Sequence, residues 1–147
     1  MNINDKSNTD MNFYIKKLDN YIQKLHYALY DRKEYQDCSI MNLWVVDFLA
    51  NQEDDVFQKD IENEFFINRA TASKMLKLME KKELVKRVSS KDDARLKKVI
   101  LTKKGINLQK IAVDIRKEVE IKLTENLTAE EIKMFKLLCI KIIEGLS

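Results

Sequence analysis

The fold class expected from the sequence is mainly α with one small β-hairpin, on three observations. The chain has no proline and only two glycines, so tight turns are scarce and helices can run long. Apolar residues recur at helical spacing towards both ends. Between Leu84 and Leu101, Val and Ile flank a polar turn, as a hairpin requires.

Tyr14, Leu18, Tyr21, Ile22, Leu25 and Leu29 space a first amphipathic helix from Met11 to Tyr30. Ser39 is suited to cap a second, SIMNLWVVDFLANQ, apolar on nearly every side and so expected to be buried. An acidic loop, NQEDD, precedes a short helix from Gln58 to Phe65. After Phe66 and Ile67, Asn68 can cap a helix reaching Lys82. The segments LVKRV and LKKVIL, around SSKDDAR, make the hairpin. Thr102 opens a long helix with Ile111, Ile115, Val119 and Leu123 on one face. Thr128 and Glu131 then form a capping box, with Leu127 and Ile132 placed for a hydrophobic staple. Ile132, Phe135, Leu138, Cys139, Ile142 and Leu146 make the last helix's apolar stripe.

At 147 residues the chain fits one unit, 1–147. The polar start MNINDKSNTD lacks a signal-peptide apolar run, and no segment approaches the ~18 apolar residues of a membrane span. Cys38 and Cys139 are far apart and suit a reducing interior. A soluble cytoplasmic protein is expected. One histidine, two glycines and no His/Cys cluster leave no catalytic set, phosphate loop or zinc spacing. No enzymatic activity, metal or cofactor is expected.

Net charge is only +3, but it is unevenly spread. From Asn68 to Lys104, 13 Lys/Arg face 4 Asp/Glu, while the remainder holds 14 basic and 20 acidic residues. Such asymmetry points to a polyanionic partner, although a solvated face is the ordinary origin of a charge run. On the helix after Asn68, Ala72, Met75, Leu76 and Met79 share an arc of about 100°. Arg69, Ala70, Ser73, Lys74 and Lys77 share about 140° opposite. As the second helix of a helix-turn-helix, it is placed like a major-groove reader, though a plain surface helix would share the amphipathicity. The hairpin is then a wing. Arg95 near its tip is suited to a narrow minor groove, and Asp93 to bracing its guanidinium.

The segment INRATASKMLKLMEKKELVKRVSSKDDARLKKVILTKKG resembles the winged helix-turn-helix of the MarR (multiple antibiotic resistance regulator) family. The most specific signature is Asp93-x-Arg95 followed by Leu101-Thr102-x-x-Gly105. Phe66 and Glu83 depart from the family by standing where many members carry glycine. The resemblance implies a homodimer, with 1–34 and 106–147 as dimerisation helices and 39–105 as the DNA-binding portion. It also implies a transcriptional regulator, a repressor by the family's commoner mode, on a pseudo-palindromic double-stranded operator. Asn68, Arg69, Ala70, Thr71, Ser73, Lys74 and Lys77 would face bases or phosphates, with Arg69 or Lys74 reading guanine. Arg95 would enter the minor groove, and Lys91, Lys97 and Lys98 would attract phosphate. Many members also hold a small-molecule effector. The corresponding candidates are His26, Tyr27, Tyr30, Trp44 and Phe48, for each of which core packing is the stronger expectation. Neither cysteine stands at the oxidant-sensing place near the start of the first helix. A winged-helix adaptor that binds only protein is the alternative, and salt-dependent duplex binding would separate the two.

Overall fold

The computed structural model describes residues 10–30 and 38–147. Six helices and one hairpin follow in order among these residues: α1 Met11–Tyr30, α2 Ile40–Ala50, α3 Gln58–Phe65, α4 Arg69–Lys81, β1 Val85–Ser89, β2 Lys97–Leu101, α5 Lys103–Thr124 and α6 Ala129–Leu146. The chain divides into two compact units, one reaching Ile115 and the other comprising Arg116–Ser147. No helix among the described residues is long and apolar enough to cross a membrane.

In the first unit, helix starts are fixed by side chains that satisfy otherwise orphaned backbone N–H groups. Ser39 Oγ accepts from Asn42 N at 3.2 Å, and Asn42 Oδ1 accepts from Ser39 N at 3.2 Å. Asn68 Oδ1 accepts from Thr71 N at 2.8 Å. Thr102 Oγ1 accepts from Gly105 N at 3.0 Å, as expected of the residue opening α5. Asp60 adds a bond the sequence reading did not include, accepting from Phe57 N at 2.8 Å ahead of α3.

Two helix ends turn through the left-handed region. Phe66 has φ 52° and Glu83 has φ 61°. After Phe66, the Ile67 N–H reaches back to Glu62 O at 3.1 Å. After α4, Leu84 N donates to Met79 O at 3.0 Å and Glu83 N to Glu80 O at 2.9 Å. That is a Schellman closure, sealed by the fully buried Leu84 and Met79. Both left-handed positions are those singled out as unusual for lacking glycine.

The core gathers Ile61 from α3, Leu76 and Met79 from α4, and Val45 and Val46 from α2, all with no exposed surface. Burying each such side chain contributes about 1.5–3 kcal/mol. Asn42 and Asp47 enter the interior with partners. Asp47, 8% exposed, accepts from Gln109 Nε2 at 3.0 Å. The expectation that α2 is buried fails at Trp44, 45% exposed, and at Ala50, exposed at the helix end.

β1 and β2 pair antiparallel, with Val85 opposite Leu101, Arg87 opposite Val99 and Ser89 opposite Lys97. β2 has a second neighbour that the sequence reading missed. Val99 N donates to Val56 O at 2.7 Å, and Phe57 bridges to Lys98. The wing is thereby fastened to the chain just before α3. In the second unit, the expected Thr128–Glu131 capping box is present, with bonds of 2.8 and 3.2 Å. Lys136 on α6 pairs with Glu120 on α5 at 3.3 Å.

Candidate nucleic-acid interface

α4 presents its two faces as its periodicity requires. Ala72, Leu76 and Met79 are buried, while Arg69, Ala70, Thr71, Lys74 and Lys77 are exposed. Ser73 is half-buried at the edge of the exposed arc, so it is less available than its neighbours. Asn68 is exposed, but its side-chain oxygen already caps the helix. Arg69, Lys74 and Lys77 enter no ion pair among the described residues, which leaves their charge available to a partner.

At the wing tip the turn is built by short polar side chains. Asp93 Oδ1 accepts from Arg95 N at 2.9 Å, and its carboxylate meets the Arg95 guanidinium at 3.3 and 3.5 Å. The Arg95 side chain is nevertheless 92% exposed. A guanidinium anchored at its base and bare at its end is pre-organised for an acceptor at little further entropic cost. Lys91 and Lys97 are exposed on the same tip. Lys98 is not free for phosphate, because its Nζ lies 3.3 Å from Asp55 Oδ1.

Two residues in this region went unnoticed in the sequence. Glu80 is the only acid on α4, and its Oε1 lies 2.6 Å from Nε of Arg87 on β1. The only sign of it was an acid at the edge of an otherwise cationic helix.

The effector candidates do not behave alike. His26 is 5% exposed and its Nδ1 lacks a hydrogen-bond partner. Burial pushes its imidazole below the ordinary histidine value. Tyr27, 61% exposed, and Trp44 are not core residues of this chain, contrary to the packing expectation. The Tyr30 side chain lies outside the described residues. Phe48 stacks edge-on against Phe65 at 5.7 Å and lines a cleft of about 460 Å³ whose rim includes Asp54, Asp55, Asp60 and Glu64. Cys38 is buried, Cys139 is half-buried, and both are free thiols. No group of three His, Cys, Asp or Glu among the described residues is placed to hold a metal.

A short helix, a left-handed turn, a second helix with a cationic outer face and an antiparallel wing define a winged helix-turn-helix protein. The family model described as MarR family matches residues 37–96, from the start of α2 into the wing. Over those residues the chain is similar to the MarR family. It is 28% identical to the transcription regulator MarR from Oenococcus oeni PSU-1, covering 92% of this chain and 99% of that one, with a TM-score of 0.76. MepR of S. aureus, solved in a DNA complex, is 24% identical over 94% of this chain and 98% of its own, with a TM-score of 0.82. FabT of Streptococcus pneumoniae, in complex with DNA, is 22% identical over 92% and 94%, with a TM-score of 0.75. The last two likenesses speak for the fold. No curated protein sequence matches the chain.

Proposed function

We propose that the chain is a DNA-binding transcription regulator that grips a pseudo-palindromic duplex as a homodimer. The observation that carries this reading is the unpaired cationic arc of α4, accompanied by the braced, exposed Arg95 of the wing. The arc suits a major groove, and the arginine suits the negative potential of a narrow minor groove. Arg69, Ala70, Thr71, Lys74 and Lys77 form the base- or phosphate-facing set, with Asn68 and Ser73 at its margin. Lys91 and Lys97 supply phosphate attraction around Arg95, and Asp93 holds that side chain in place. That MepR and FabT were solved with DNA supports the same partner here.

Dimerisation is supported by α6, which buries no residue. Phe135 is 55%, Leu138 48% and Leu146 77% exposed, and an apolar stripe of that kind calls for a cover. A second copy gives the two-fold presentation a palindrome needs, with half-sites about 10–11 base pairs apart. The regulatory sense we propose is repression relieved by an effector, following the commoner mode of the family.

Selection from a random duplex library, followed by affinity against salt, tests the reading. A two-fold sequence and log K falling steeply with log[salt] are expected, because several phosphates are neutralised per subunit. No duplex binding at low salt would favour the protein-binding adaptor instead.

A further inference from the structure

We infer that Glu80 and Arg87 are positioning residues: their ion pair is the joint that sets the wing's attitude to α4, so that Arg95 and the α4 side chains engage one duplex together. This rests on the proposed duplex-binding role. The pair crosses between elements, from the last turn of α4 to the middle of β1, opposite Val99. Its Arg87 side chain is only 22% exposed, and Nε and Nη2 have no aligned hydrogen-bond partner, so the contact holds through charge. β2 is secured separately, by the Val99–Val56 backbone bond and by Lys98–Asp55. Each strand of the wing therefore has its own tether to the helix-turn-helix, and Glu80–Arg87 is the one that reaches α4.

The lever is long enough to matter. The three strand residues from Arg87 to Ser89 span about 10 Å, and a tilt of about 10° there moves the end of the strand by about 2 Å. That displacement exceeds the tolerance of a hydrogen bond to a groove edge. The charge balance supplies a test by sign. Glu80 is the only acid on α4, so removing it makes this surface more cationic. If Glu80 were only a nearby charge, its loss would tighten DNA binding. As part of the joint, its loss weakens binding.

The experiment is a double-mutant cycle on the full chain with its selected duplex, using the parent, Glu80→Gln, Arg95→Ala and the double variant. Glu80→Gln is expected to weaken specific binding about tenfold. Arg95→Ala, costing about tenfold in the parent, is expected to cost less than about twofold beside Glu80→Gln. Amide hydrogen exchange without DNA is the second measurement. Wing amides in 85–89 and 97–101 should exchange about tenfold faster in Glu80→Gln, with protection inside α2 and α4 unchanged. Binding as tight as the parent's, with the Arg95 loss intact, would overturn the joint, and so would unaltered wing exchange. Should the parent bind no duplex, the regulator reading falls, and the exchange measurement decides the joint alone.

Discussion

Arg69 sits at the first position of α4 with an exposed guanidinium that enters no ion pair among the described residues, which leaves it free to make the guanine contact proposed for it. Arg69→Ala should cost about 1–3 kcal/mol and relax selection at one position per half-site, as repeated library selection will show. A uniform loss over all sequences would make it a phosphate contact instead. Glu83, at φ 61°, pays for a left-handed backbone that glycine adopts freely. Relief of about 1–2 kcal/mol, less about 0.5–1 kcal/mol of glycine's extra unfolded entropy, leaves Glu83→Gly more stable by about 0.5–1 kcal/mol. A higher denaturant midpoint at unchanged slope is the check, and Phe66→Gly should behave likewise. His26 supplies a pH dependence. Its folded pKa is lowered by burial, so the unfolded chain takes up the proton more readily. Its share of stability is whole above the ordinary imidazole value of about 6.5 and declines as pH falls from there towards the folded value. His26→Gln should therefore flatten the acid limb below the ordinary imidazole value in urea titrations.

At the scale of elements, the junction of β1 with α5 is the tightest point of the wing. A Cβ on Gly105 would lie 2.1 Å from the carbonyl oxygen of Leu84, an atom that also accepts from Thr102 N at 3.1 Å. Gly105→Ala must push the start of α5 off the wing. We expect a loss of about 1–3 kcal/mol, read as a lower thermal midpoint. Gly145 meets nothing within 4 Å, so Gly145→Ala is the control that should not lose stability. Elements like α2, α4 and α6 were legible in the sequence because each begins with a side chain able to cap it: Ser39, Asn68 and Thr128. The face of α4 was legible because its buried residues repeat at helical spacing. The strand contact at Val56 and Phe57 was not, since two residues carry no alternation and their partners lie some 40 positions on. Glu80–Arg87 escaped for a related reason: pairing across elements leaves no period in a sequence. Caps explain the reduced availability of Asn68, a residue that local pattern alone assigns equally to helix and to partner.

For the whole molecule, the decisive feature is the uncovered stripe of α6. Leu138→Asp places a charge on it and should convert a dimer to monomers in sedimentation. Specific DNA affinity should then fall at least about 100-fold, because two half-sites are no longer held by one particle. Retention of the dimer would mean that another surface joins the copies. If pairing is what shelters α6, folding becomes a second-order affair. Warming a dilute sample should melt it sooner than a concentrated one. Newly made chains would then gain their final helix only on meeting a sibling, so the amount of protein present would set both its durability and its capacity to occupy an operator.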